Sequence, residues 1–223
     1  MKPKAVILLS GGLDSAVTLF FAKSLGYELF CINFDYGQRH AREMASASIL
    51  ARKAGAVLKT VKVDFPWKGS SLIDKGLKIP TGRKIDKIKK GGIPSTYVPA
   101  RNTVFLSLAA SFAEVIGADS IFIGAHFEDS SGYPDCRKVY LEAFEKVLKT
   151  GTKRGIDGRL KLEFPLIDIS KKDIIRLGKR LSVPFEYTWS CYKGARRPCM
   201  ECDSCVLRAK GFSQAGMPDP LVK

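Results

Sequence analysis

A glycine-rich loop after the first apolar segment constrains the fold of this chain more than any other feature. Residues 4–9 form an apolar β-type run, residues 10–15 read Ser-Gly-Gly-Leu-Asp-Ser, and residues 16–25 have the pattern of a helix that ends at Gly26. A strand, a tight loop and a helix in this order begin a βαβ unit, which joins two parallel strands. The chain is therefore expected to be an α/β protein.

The same alternation continues along the chain. Further strands are predicted at 28–34, 57–63, 120–124 and 160–164, and helices at 41–53, 103–116, 141–149 and 170–181. Strands that alternate with helices predict a doubly wound parallel sheet. Loops at the carboxyl ends of such strands line the ligand crevice, so we expect the loop at 10–15 and a polar loop at 129–135 to lie there.

Length and composition indicate one catalytic domain with an appendage. The 223 residues suffice for one α/β core, assigned to residues 1–183 with an insertion rich in Gly, Pro and Lys at 66–99. Residues 184–223 are too rich in Cys, Gly and Pro for an ordinary helix or strand. We predict that they form a C-terminal zinc-binding subdomain.

The net charge indicates a preference for polyanionic ligands but does not identify which one. Lys and Arg number 37 against 22 Asp and Glu, and the formal charge of +15 suits polyanions such as nucleotides. Basic residues are spread along the chain, so a solvated basic face is as good an interpretation as a tRNA-binding patch, and direct nucleic-acid binding is not expected. No apolar run approaches the roughly 20 residues of a membrane-spanning helix, and no signal-peptide pattern is present. We expect a cytoplasmic protein.

The loop at residues 10–15 has the features of a phosphate-binding site. It joins a strand to a helix N-terminus, where backbone N–H groups and the helix dipole attract an anion. The glycines allow phosphate oxygens to approach closely, and the hydroxyls of Ser10 and Ser15 add donors. Asp14 would repel a polyphosphate unless a cation intervenes, so we infer Mg²⁺ that Asp14 contacts directly or through water.

This loop is not a Walker loop, because the pattern GxxxxGK[ST] and its lysine are absent. Its sequence is instead similar to the signature of the PP-loop ATP pyrophosphatases. That resemblance implies an adenine nucleotide alpha hydrolase-like fold. It also implies that ATP is split to AMP and pyrophosphate while a substrate is adenylated, with the leaving pyrophosphate held by the loop.

Four of the six cysteines have the spacing of a metal site. Cys191, Cys199, Cys202 and Cys205 form C-x7-C-x2-C-x2-C, and four thiolates this close suit a tetrahedral zinc ion. A closed four-cysteine site stabilises structure, because no position stays open for water or substrate. A [4Fe-4S] cluster and a nucleic-acid-binding zinc ribbon are the alternatives.

Several further blocks match one family of PP-loop enzymes. They are FDYGQRH at 34–40, TYVPARN at 96–102, DSSGYPDCR at 129–137, TWSCY at 188–192 and CDSC at 202–205. Together with the loop, and in this order, they resemble the 7-cyano-7-deazaguanine (preQ0) synthases of the QueC family along nearly the whole chain. Ala100 stands where that family is expected to have glycine, a departure that concerns loop geometry more than the class of reaction.

The resemblance implies conversion of 7-carboxy-7-deazaguanine to its nitrile with ATP and ammonia. The carboxylate would be adenylated and attacked by ammonia to give an amide, and a second adenylation on the amide oxygen would permit loss of AMP. Adenylation brings two anions together, which requires Mg²⁺ and cationic side chains. A homodimer and a place in queuosine or archaeosine tRNA modification are also implied. Free ammonia is expected, since the chain has no second domain for a glutaminase.

Site residues follow from the resemblance by position. Asp14, Ser15 and Arg101 are the candidate catalytic residues, and Arg101 would stabilise phosphate or carboxylate charge. The candidate ATP-binding residues, with the last two near adenine, are Leu8, Leu9, Ser10, Gly11, Gly12, Leu13, Asp14, Ser15, Ala16, Val17, Thr18, Asn33 and Phe34.

The candidate substrate-binding residues are Asn102, Asp129, Tyr133, Asp135 and Arg137. A carboxylate would accept hydrogen bonds from the guanine-like N–H edge, Tyr133 would stack on the base, and Arg137 would face the acid that is activated.

Other interpretations stay open at this point. A PP-loop tRNA thiolase would use the basic charge for RNA binding and Cys136 as a sulfur carrier, although the loop at 129–137 argues against it. A non-enzymatic RNA-binding module built on the cysteines would leave the phosphate loop without a role. His40 and His126, the only histidines, suit structural roles as well as catalytic ones.

Overall fold

The computed structural model describes residues 2–39, 42–126 and 132–222, which fold around a parallel sheet. Its strands are β1 (Lys4–Leu8), β2 (Glu28–Asp35), β3 (Val57–Lys62), β4 (Ser120–Phe122) and β5 (Lys161–Glu163). They lie in the order β3-β2-β1-β4-β5, and every neighbouring pair is parallel. The predicted parallel sheet is confirmed.

Helices connect the strands. They are α1 (Leu13–Ser24), α2 (Arg42–Ala54), α3 (Ile85–Lys90), α4 (Arg101–Ile116), α5 (Lys138–Gly151), α6 (Lys153–Ile156), α7 (Lys171–Arg180) and α8 (Asp203–Ala215). Each strand and helix predicted from the sequence is present, and its ends lie within three residues of the predicted ones. None of the described helices has both the length and the apolar character needed to cross a membrane.

Both faces of the sheet are covered, as a doubly wound fold requires. Successive side chains of a strand point to opposite faces. Val6 of β1 accordingly lies in one core with Leu106 of α4 and residues of α5, whereas Ile7 lies in a second core with Leu50 of α2 and residues of α1, α7 and α8. The sheet is thereby buried between two helical layers.

The strand order places a crevice at the carboxyl ends of β1 and β4. The chain adds β2 and β3 on one side of β1 and then crosses to the other side for β4 and β5. Ile7 of β1 pairs with Phe122 of β4, so the loops that follow these two strands start side by side. Open parallel sheets bind ligands where the strand order reverses in this way.

The C-terminal region corrects one prediction. Its composition predicted neither helix nor strand, yet α8 is a regular helix of 13 residues. Tertiary packing stabilises it, because Phe212 is 1% exposed in the second core, with its ring 5.4 Å from that of Phe185. The domain boundary at residue 184 stays a prediction, and α8 shares the core of the sheet.

The insertion at 66–99 is docked against the cysteine-rich region. Thr81 forms an antiparallel bridge with Cys202, and Arg83 Nε donates to Asp203 Oδ1 over 3.0 Å. Ile79 packs against the buried cysteines. The insertion and the C-terminal region therefore support each other beside the crevice.

Candidate active site at the carboxyl ends of β1 and β4

The glycine loop after β1 forms a cradle at the start of α1. Gly12 is the N-cap of α1, so the first N–H groups of the helix face the crevice. Ser10 Oγ accepts from the Gly12 N–H at 3.2 Å and lies 3.0 Å from Ser15 Oγ. Gly11 has φ of +88°, and a Cβ there would overlap the backbone oxygen of Glu43, so only glycine fits. The loop can bind an anion as the sequence predicts.

Lys171 is a functional candidate that sequence reasoning missed. Its Nζ lies 2.8 Å from both carboxylate oxygens of Asp14, and His126 Nε2 lies 3.8 Å from Asp14 Oδ2. Lys171 begins α7, which follows β5, so its ammonium reaches the phosphate cradle from the far side of the crevice. The serine that precedes it signalled a helix start, but nothing local signalled contact with Asp14.

The predicted ATP-binding residues of the loop and of β2 meet at the same edge of the sheet. Asn33 Nδ2 donates to the Leu9 carbonyl over 2.6 Å, which ties the end of β2 to the loop. Asn33 Oδ1 is buried and has no hydrogen-bond partner among the described residues. Phe34 stacks on Phe105 with ring centroids 3.9 Å apart, and both rings line the cleft. Ala16, Val17 and Thr18 lie buried in α1, behind the loop.

A cleft with a volume of about 260 Å³ joins this cradle to a second group of polar residues. Arg101, the first residue of α4, donates from Nη1 to the Tyr36 hydroxyl over 3.2 Å and lies over the rings of Tyr36 and Phe105. Burial is the largest effect and lowers the pKa of Arg101, but the combined electrostatic effect of Tyr36, Tyr133, Cys136 and Asp135 outweighs it, and the pKa is raised. A charged guanidinium therefore faces the cleft.

The predicted substrate residues divide into two groups. Tyr133 lines the cleft, and its hydroxyl lies 2.7 Å from Thr96 Oγ1. Asn102 also lines the cleft. Asp135 does not; its Oδ2 accepts from the Asn102 N–H at 3.0 Å, and burial raises its pKa. Arg137 is exposed outside the cleft, as the N-cap of α5.

Asp135 thus positions the start of α4, which has no capping side chain of its own. Asp129, the remaining candidate substrate residue, lies outside the described residues, as does His40.

Glu43 is a second residue that sequence reasoning missed. It lies in the first turn of α2 and lines the cleft. Burial raises the pKa of its carboxyl to about 7, against the opposing effect of Arg101. Its position three residues after the FDYGQRH block is the only signal that the sequence offers.

The four predicted metal ligands converge. The sulfur atoms of Cys191, Cys199, Cys202 and Cys205 all lie within 4.8 Å of one another, and Cys199 Sγ is 4.0 Å from Cys205 Sγ. Zinc–sulfur bonds of about 2.3 Å in a tetrahedron place the sulfurs about 3.8 Å apart, so the cluster fits a zinc-sized ion. Hydrogen bonds from Cys202 and Cys205 lower the pKa of Cys191, which favours a thiolate.

Trp189 connects the cysteine cluster to the glycine loop. Its backbone N–H donates to the Gly11 carbonyl over 2.9 Å, and its side chain packs on the buried cysteines. Ser190 and Tyr192, which flank Cys191, line the cleft. A metal held by the cysteines would therefore fix one wall of the cleft.

Comparison with known proteins gives the family. The model of the family described as queuosine biosynthesis protein QueC matches residues 4–216. The chain belongs to the QueC family. Its sequence is 53% identical over 220 residues to the 7-cyano-7-deazaguanine synthase of Thermoplasma acidophilum, covering 99% of this chain and 92% of that protein. It is 50% identical over 223 residues to the synthase of Nostoc punctiforme, covering 98% and 99%.

A solved structure supports the fold of this QueC chain. The NMN synthetase of Francisella tularensis superposes with a TM-score of 0.52 at 16% identity, over 97% of this chain and 79% of that one. The likeness supports the predicted doubly wound α/β fold. Membership in the QueC family also favours nitrile synthesis over tRNA thiolation and over a non-enzymatic RNA-binding module.

Proposed function

We propose that this chain converts 7-carboxy-7-deazaguanine to 7-cyano-7-deazaguanine with ATP and ammonia, in queuosine or archaeosine tRNA modification. One structural observation supports the proposal independently of family membership. A phosphate cradle with its Asp14–Lys171 pair and a charged Arg101 border one cleft at the switch point of the sheet. Such a cleft can hold a triphosphate and an acid together, which adenylation requires.

The cradle would bind the phosphates of ATP. The N–H groups at the start of α1 and the hydroxyls of Ser10 and Ser15 supply donors, and Lys171 supplies a positive charge. Asp14 is an oxygen ligand suited to Mg²⁺, which when bound would neutralise phosphate charge. Asn33 and Phe34, at the end of β2, would lie beside the adenine.

The other end of the cleft would bind the deazaguanine. Tyr133 offers a ring for stacking, and Arg101 offers a guanidinium that can pair with the carboxylate. Arg101 would hold the carboxylate against the α-phosphate and stabilise the charge that develops there. Asn102 and, through it, Asp135 would keep Arg101 in place.

Two activations complete the reaction. A carboxylate oxygen is a poor leaving group, and transfer of AMP to it permits ammonia to displace AMP and form the amide. Adenylation of the amide oxygen then allows the C–O bond to break, while the nitrogen loses its remaining protons and the nitrile forms. The same residues serve both rounds, because each joins an oxygen of the same carbon to AMP.

Zinc in the cysteine cluster would be structural, one ion per chain, and the active species would be a homodimer. Incubation of the purified chain with 7-carboxy-7-deazaguanine, Mg-ATP and ammonium tests the function. AMP release and a product of nitrile mass are expected, and both should be lost in Asp14→Ala. Absence of substrate-dependent AMP would contradict the proposal.

A further inference from the structure

Glu43 is the feature of the cleft that the proposed function leaves without a role. Among the described residues, the carboxylates that line the cleft belong to Asp14 and Glu43. Asp14 is held by Lys171, whereas the Glu43 carboxylate forms no hydrogen bond or salt bridge with any residue that the structure describes. An acceptor that faces a binding cleft and has no hydrogen-bond donor among the described residues is available to a ligand.

The position of Glu43 points to the reacting carbon. Its backbone oxygen packs directly against Gly11 of the phosphate cradle. Its carboxylate interacts electrostatically with Arg101, which we assign to the substrate carboxylate. The Glu43 backbone thus lies beside the cradle while its carboxylate lines the cleft within the electrostatic influence of Arg101. We therefore assign Glu43 to the part of the cleft between the phosphate and the substrate carboxylate, where the acyl–phosphate bond would form.

The chemistry of amide formation requires a group of this kind. Near neutral pH the nitrogen source is mostly ammonium, which has no lone pair with which to attack a carbonyl carbon. A carboxylate can bind ammonium by charge-assisted hydrogen bonds and accept one of its protons. The cationic side chains that line the cleft, Arg39, Arg101, Lys171 and Arg208, cannot accept a proton from ammonium, and the Asp14 carboxylate is paired with Lys171.

We propose, on the basis of the proposed function, that Glu43 binds the ammonium ion and accepts its proton. Ammonia then attacks the carbonyl carbon of the acyl adenylate, the C–N bond forms, and the C–O bond to AMP breaks with its electron pair on AMP. Two protons leave in total. The first passes to Glu43, and the second leaves the attached nitrogen for the AMP phosphate or water.

The surroundings of Glu43 support this role. Burial raises the pKa of its carboxyl to about 7, which makes it a stronger base than an exposed glutamate, while Arg101 from α4 lowers it and Cys191 raises it. Tyr36, beyond β2, contributes a neutral hydroxyl that already accepts from Arg101. A base of this strength suits proton transfer near neutral pH.

The test separates adenylation from amide formation with Glu43→Gln in the full chain. Substrate-dependent exchange between ATP and pyrophosphate, without ammonium, reports adenylation. Product formation is then measured with ammonium and with hydroxylamine, which is largely uncharged near neutral pH. The control is Glu142→Gln, an exposed glutamate of α5.

We expect Glu43→Gln to retain exchange within about twofold and to lose about 100-fold or more in kcat/KM for ammonium. Hydroxamate formation should be retained within about tenfold. Equal losses with both nucleophiles, or a loss of exchange, would overturn the inference and assign Glu43 to substrate binding or folding. Absence of exchange in the native chain would instead reject the proposed function.

Discussion

Lys171 and Asp14 are 157 residues apart in sequence, yet Lys171 Nζ lies 2.8 Å from each carboxylate oxygen of Asp14. The pair joins the loop after β1 to the helix after β5 across the crevice. Side chains of Lys171 and Asp14 are 11% and 23% exposed, so the pair is poorly screened by solvent but open to a ligand. Under the proposed function, the Lys171 ammonium would lie beside the phosphates of ATP during adenylation.

Replacement of Lys171 should therefore impair the first chemical step. Lys171→Ala removes a cation from the phosphate cradle, and we expect kcat for substrate-dependent ATP–pyrophosphate exchange to fall about 100- to 1,000-fold. The matched control is the neighbouring Lys172→Ala, whose side chain is exposed. Equal exchange rates in the two variants would show that adenylation does not depend on Lys171.

Arg101 should not tolerate replacement by lysine. Lysine keeps the charge but loses the planar guanidinium that lies over the rings of Tyr36 and Phe105. We expect Arg101→Lys to lower kcat/KM for 7-carboxy-7-deazaguanine about 10- to 100-fold. Arg176→Lys, at a half-exposed position of α7, should match the native chain. Native kinetics in Arg101→Lys would contradict the assigned role.

Metal removal should loosen the cleft as well as the cysteine cluster. Metal analysis is expected to give one zinc per chain, and chelation should lower Tm by about 10 °C or more. Residues 79–83 bridge to Cys202 and Asp203, so their amide hydrogens should exchange faster after chelation.

Cys199→Ser should reproduce both effects of chelation without a chelator. Iron and sulfide in the purified chain, in place of zinc, would contradict the assignment of the metal.

The backbone conformation of Ala100 indicates that replacement by glycine should stabilise the protein. It adopts a left-handed conformation with φ of 54° as the N-cap of α4, at the position where the family resemblance led us to expect glycine. This conformation costs a non-glycine residue about 1–2 kcal/mol in the folded state. Glycine avoids that cost, but its greater freedom in the unfolded chain lowers the free energy of unfolding by about 0.4–1 kcal/mol. Ala100→Gly should therefore raise the free energy of unfolding by about 0.5–1 kcal/mol, measured by urea denaturation.

Ala109→Gly, in the interior of the same helix, should lower the free energy of unfolding by about 1 kcal/mol or more. A destabilised Ala100→Gly variant would show that the left-handed residue is not strained.

The tertiary structure decided which predicted substrate residues reach the cleft. Asp135 and Arg137 belong to the same sequence block as Tyr133, yet of these three residues Tyr133 alone lines the cleft. A short turn, Pro134–Cys136, rotates the chain so that the Asp135 carboxylate points to the start of α4. Spacing along an irregular loop cannot predict that rotation, because no fixed period relates sequence to direction there.

The sequence by itself determined the succession of strands and helices along the chain, the glycine loop between β1 and α1, and the four cysteines that converge. Each of these depends on local periodicity, on a glycine turn or on ligands close together in the chain. Only the tertiary structure decided that Lys171 meets Asp14, that Glu43 lines the cleft beside Arg101, and that α8 is a helix. These depend on contacts between residues distant in sequence, which form because burial of the two cores fixes the helices relative to the sheet.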